Sequence, residues 1–79
     1  MALNIPNEIK NEVEEFQKYL SECKANNAKP SSADMYQMEI DSGLRFCLRE
    51  NIITDKEYKE LRQYCLWDIL YEYEDVEID

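Results

Sequence analysis

The chain has 79 residues, 44% apolar and 34% charged, with 18 acidic side chains against nine basic ones, no His and a net charge of −9. A chain this short makes one domain with a thin core, burying only ~60% of its unfolded surface. One Gly and two Pro are too few for an all-β fold, which needs turn residues at short intervals, and the acidic excess opposes direct binding to nucleic-acid phosphate or to an anionic membrane surface.

The opening segment, MALNIPNEIK, carries neither the basic region nor the apolar run of a signal peptide. No stretch approaches the ~20 apolar residues of a membrane span. The cysteines are Cys23, Cys47 and Cys65. An odd number without a secretion signal points to reduced thiols and a cytoplasmic protein.

The first helix is predicted over residues 5–25. Ile9, Val13, Phe16, Leu20 and Cys23 step at helical spacing, and Ile5 extends the stripe backwards. Pro6 suits the first turn, where its missing N–H costs nothing. Glu8, Glu12, Glu14 and Glu15 sit in the early turns, where they favour the helix dipole. Asn26 or Asn27 is placed to end the helix, and Pro30 prevents its continuation.

A second helix is predicted over residues 32–50, capped by Ser31 or Ser32. Tyr36, Ile40, Gly43 and Cys47 form its inward stripe, with Leu44 and Leu48 alongside. A helical Gly costs ~1 kcal/mol relative to Ala, so Gly43 implies close approach of a neighbouring helix. A break at Asp41-Ser42-Gly43 is the competing expectation. Met35, Met38 and Phe46 lie off the stripe, to pack under the tail or to extend an aromatic patch on the third helix.

Asn51-Ile52-Ile53 leaves room only for a tight reversal, which makes the second and third helices antiparallel neighbours. The third helix is predicted over residues 54–73. Thr54 and Glu57 have capping-box spacing, and Ile53 and Tyr58 are placed for a hydrophobic staple. Tyr58, Leu61, Cys65 and Ile69 share a stripe at 100° per residue, with Leu66 beside it. Tyr64, Trp67, Leu70 and Tyr71 fall on the opposite face, which an ordinary surface helix keeps polar, so the helix is either sandwiched inside the bundle or shows an aromatic patch to a partner. A carboxylate-rich tail, residues 74–79, follows. The expected whole is a single all-α domain over 1–79, a small and mostly antiparallel three-helix bundle with an acidic C-terminal tail.

No catalytic, cofactor or metal site is expected. The cysteines lack C-x-x-C spacing and His partners, so zinc is a poor fit, and each lies on an apolar stripe, where a reduced thiol acts as a small hydrophobe. Placing Gly43 at the turn of a calcium loop would put Met38, Ile40 and Arg49 at ligand positions. General acid–base chemistry needs carboxylates held in a pocket with separated pKa values, and the paired acids Glu14 and Glu15 sit on a solvated face. As a DNA-reading helix, the third would offer phosphate the wrong charges.

The interaction surface expected from sequence is Tyr64, Trp67 and Tyr71 on one helical face, bordered by Glu60, Glu72, Glu74, Asp75 and Glu77. Trp and Tyr are enriched at binding hot spots, and carboxylates around aromatic rings suit a partner rich in Arg and Lys. The functional expectation is therefore a non-enzymatic protein-binding module, an inhibitor or adaptor covering a basic surface of its partner. A nucleic-acid enzyme presents such a surface, which carboxylates can occupy in place of phosphates. The alternative is a homo-oligomeric structural protein whose Tyr64/Trp67/Tyr71 face meets its own copies.

Overall fold

The computed structural model describes residues 4–74, with the side chains of Tyr73 and Glu74 outside the description. It is an all-helical bundle. Helix α1 (Asn7–Ala25) is followed by α2 (Ala33–Arg49), and the third rod comprises α3 (Asp55–Arg62), a π-helical segment (Gln63–Asp68) and α4 (Ile69–Glu74). Helix α1 starts two residues later than the apolar spacing predicts, because Pro6 takes the N-cap position with an extended ψ of 143°. Helix α2 runs through Asp41-Ser42-Gly43 without a break.

Contacts between helices establish the directions. Tyr36, near the start of α2, stacks on Phe16 and Tyr19 from the second half of α1, with ring centroids 5.7 and 4.8 Å apart. At the other end, Ile9 of α1 lies against Gly43 of α2. Asp41 of α2 meets Tyr58 and Arg62 of the third rod, while the earlier Gln37 reaches the later Leu66. Chain neighbours are therefore antiparallel.

Both interhelical turns rest on Asn. Asn27 and Asn51 adopt left-handed φ values of 57° and 60°. Each sits just past a helix end, where Asn is the usual substitute for Gly. Ala28 N–H donates to Cys23 O and Asn27 N–H to Lys24 O, at 2.8 and 3.2 Å. Ile52 N–H donates to Cys47 O and Asn51 N–H to Leu48 O, at 2.8 and 3.1 Å. Both are Schellman motifs, which satisfy carbonyls the helix leaves unpaired. The start of α2 differs from expectation. Ser32 is the N-cap but makes no side-chain capping bond; instead its N–H donates to Tyr19 Oη at 2.8 Å. The start of α3 is as predicted, with Glu57 N–H donating to Thr54 Oγ1 at 3.1 Å and Thr54 N–H donating to Glu57 Oε1 at 2.8 Å.

The core is the inward stripes brought together: Ile9, Val13, Phe16 and Leu20 from α1; Ile40, Leu44 and Cys47 from α2; Leu61, Cys65, Leu66, Ile69 and Leu70 from the third rod. Among the described residues no polar or charged residue is buried. Gly43 packs as its position on the inward stripe requires, since an added Cβ would overlap Ile9 Cγ2.

The third rod departs from a uniform α-helical phase. Uniform α-helical phase puts Leu70 outward with Tyr64, Trp67 and Tyr71, but Leu70 is buried. The cause is the π segment, in which Ile69 N–H donates to Tyr64 O, five residues back. Each such turn holds one extra residue, so phase falls behind and residues five apart align. Leu66 joins Leu61, and Leu70 joins Cys65, on the inward face. Where the ladder returns to four-residue spacing it must pass over one carbonyl. Within this stretch the Leu66 carbonyl accepts from Gln37 Nε2 of α2. On the outer side, Gln63 Nε2 donates to Asp68 Oδ1 at 3.0 Å, a side-chain bond also of five-residue span.

Candidate protein-binding surface

The aromatic face expected on the third rod is divided by depth. Tyr64 and Trp67 are half-buried and pack against the core. Tyr71 is 43% exposed and meets Trp67 in a tilted arrangement, with centroids 6.3 Å apart. The fall-behind of the π segment moves Leu70 inward and leaves these three rings along the flank. Glu60 and Glu72 are exposed. Glu74 closes α4, its side chain beyond description, and Asp75 and Glu77 lie outside the described residues.

A second surface has larger apolar exposure. Met35, Met38 and Phe46 of α2 are 62%, 70% and 42% exposed. With Ser42 they form a row at i, i+3, i+7 and i+11, the outward face of α2. Alongside the row, toward α1, runs an open groove of about 710 Å³ lined by Glu8, Glu12, Met38, Glu39, Ser42, Gly43 and Phe46. Its form follows from side-chain size. Ser42 and Gly43 supply a low centre, Met38 and Phe46 stand one helical turn to either side, and Glu8 and Glu12 border it from α1. Among the described residues Glu12 Oε2 has no hydrogen-bond partner and is shut off from water, an arrangement that costs free energy.

Sequence reasoning missed this groove. The apolar row was visible as residues off the main stripe. The lateral register that brings Glu8 and Glu12 beside Met38 and Phe46 depends on the Ile9–Gly43 contact, which no single helix reveals.

Ion pairing is sparse. Among the described residues the ion pairs are those of Asp41, with Arg45 Nε at 3.0 Å and Arg62 Nε at 3.2 Å. The same carboxylate accepts from Tyr58 Oη at 3.1 Å, which joins α2 to α3. At the C-terminal end of the apolar row, the Arg49 guanidinium lies 5.9 Å from the centre of the Phe46 ring. The carboxylates of Glu8, Glu12 and Glu39 make no ion pair among the described residues.

The thiols are structural. Cys47 and Cys65 are buried, Cys23 half-buried, and all three are free. Burial pushes the Cys65 thiol up to about 11. Cys47 is raised by burial first and then by the charge of Glu8. Among the described residues no group of three or more Cys, Asp or Glu is placed to hold a metal ion, and no helix is long and apolar enough to cross a membrane.

No protein-family model, curated protein or solved structure matches the chain.

Proposed function

We propose that the chain is a non-enzymatic, cytoplasmic binding module that covers a basic surface of a partner protein, as an inhibitor or adaptor. The observation that supports this reading is the combination on one face of large exposed apolar side chains (Met35, Met38, Phe46) and carboxylates that make no ion pair among the described residues (Glu8, Glu12, Glu39). Apolar contact supplies affinity, and an excess of one charge selects the sign of the partner and speeds encounter. A nucleic-acid enzyme fits as partner because its phosphate-binding surface is basic.

The test is affinity capture by the tagged full chain from native lysate at low salt, followed by reconstitution from purified components. A basic protein that re-forms a stoichiometric complex and is released by raised salt supports the reading. A complex indifferent to salt, or recovery of this chain alone, overturns it.

Self-association through Tyr64, Trp67 and Tyr71 is the second reading, favoured by the exposed Tyr71 ring against Trp67. Trp67 emission that shifts to the red on dilution supports it; emission independent of concentration, with a monomeric sedimentation profile, overturns it.

A further inference from the structure

We propose that the groove between α1 and α2 receives a basic amphipathic helix of the partner, laid along the row Met35, Met38, Ser42 and Phe46 with its cationic edge toward Glu8, Glu12 and Glu39. The inference rests on the binding-module reading and adds the shape and charge of what binds.

Shape comes first. The row runs from Met35 to Phe46, twelve residues of α2 and about 16 Å at ~1.5 Å per rise, which matches three turns of a helix lying in a groove. The low centre at Ser42 and Gly43 lets one large apolar side chain sink between Met38 and Phe46. Methionine side chains adapt to varied apolar partners.

Charge decides the occupant. The groove carries three carboxylates, Glu8 and Glu12 from α1 and Glu39 from α2, and among the described residues Glu12 Oε2 finds no donor. A Lys or Arg laid across the groove keeps its alkyl stem on Met38 and Phe46 while its cation reaches these oxygens. A second copy of the chain would bring the same carboxylates to face their equivalents across a two-fold axis, where like charges repel. The chain's own last residues, which include Asp75, Glu77 and Asp79, carry that sign as well. Arg49, seven residues beyond Ser42, continues the row at its C-terminal end with its guanidinium 5.9 Å from the centre of the Phe46 ring, so the fitting helix carries its cations toward the carboxylates and none over that end.

The experiment titrates the full chain with synthetic 18-residue helices that share one Leu face. One has Lys along a single edge, and its counterpart has Glu there. Two variants of equal net charge are compared: Glu8→Gln, Glu12→Gln, Glu39→Gln in the groove, and Glu14→Gln, Glu22→Gln, Glu60→Gln away from it. Glu12 is half-buried and the other five residues are exposed, and unchanged circular dichroism shows that both variants fold. The Lys-edged helix should bind and the Glu-edged one should not. Its affinity should fall at least tenfold in the groove variant and less than threefold in the other. Met38→Ser, Phe46→Ser should lower it tenfold or more, and amide shifts should map to the facing sides of α1 and α2. Equal loss in the two carboxylate variants, or shifts centred on Trp67 and Tyr71, overturns the groove while the acidic-module reading stands. A self-dimer dissolved by Met38→Ser, Phe46→Ser also overturns the groove proposal, with a second copy as occupant. Failure of wild type to bind the Lys-edged helix at low salt overturns both.

Discussion

Cys65 and Gly43 show how far a single residue's surroundings determine its behaviour. The Cys65 thiol, pushed up to about 11 by burial, keeps its proton in the folded chain after an exposed thiol has lost it. Below about pH 9 both states hold the proton and no difference arises. Between about pH 9 and 11 only the unfolded chain ionises, so stability declines as pH rises, by ~2–3 kcal/mol at most. Urea unfolding under reducing conditions at about pH 8 and about pH 10.5 should show this decline in wild type. Cys65→Ala, although less stable throughout, should show a shallower one. At Gly43 the expected sign opposes helix propensity. Ala in a helix interior gains ~1 kcal/mol over Gly, but the new Cβ overlaps Ile9 Cγ2, and overpacking costs ~1–3 kcal/mol. Gly43→Ala should therefore lose about 1 kcal/mol. In an Ile9→Leu background, where Cγ2 is gone and volume is kept, the same change should become neutral or stabilising. A double-mutant cycle in urea measures that coupling.

At the scale of elements, legibility in the sequence followed how local the cause was. The Thr54–Glu57 box and the Asn helix ends were readable because each is decided within about six residues of chain. The stripe Ile9, Val13, Phe16, Leu20 was readable because one period runs through it. The third rod was left between burial and exposure at Leu70 because its period changes midway, within a stretch where Gln37 of another helix donates to the Leu66 carbonyl. A sequence signal was nevertheless present. The apolar pairs Cys65-Leu66 and Ile69-Leu70 follow Leu61 one residue late for a uniform α-helix. Deleting the exposed Gln63 would return Leu61, Cys65, Leu66, Ile69 and Leu70 to the i, i+3, i+4, i+7, i+8 pattern of one α-helical face. The deletion variant should fold cooperatively, show α-helical amide contacts from Asp55 to Glu74, and lie within about 1 kcal/mol of wild type or above it. Deleting Ser42 from α2, whose inward stripe has no slack, should abolish cooperative unfolding. The candidate surface was legible only in part. Aromatic residues on the third rod and off-stripe methionines on α2 were visible as types. Their depth, and the carboxylates beside them, come from the register between helices.

For the whole molecule, charge is the dominant long-range term. A net charge of −9 on 79 residues, with ion pairing among the described residues confined to Asp41, makes the folded chain repel itself. Added salt shortens the reach of that repulsion to about 8 Å at physiological strength. The melting temperature should accordingly rise by several degrees between about 10 mM and 500 mM sodium chloride, measured by circular dichroism. A melting temperature that falls with salt would mean that attraction within the fold outweighs the excess.

The sulfur atoms of this protein divide by access to water. Cys47 and Cys65 are sealed in the core, whereas Met35 and Met38 stand 62% and 70% exposed on the outer row of α2. Cys23 is half-buried, so of these sulfur atoms the Met35 and Met38 thioethers stand most open to a peroxide. Conversion to sulfoxide replaces an apolar side chain with a polar one, and here it does so where no core depends on it. Brief peroxide treatment should add one oxygen each to Met35 and Met38 in peptide maps while leaving the helical spectrum intact. The oxidised chain keeps its fold and loses the apolar half of its outer row, and methionine sulfoxide reductase restores it.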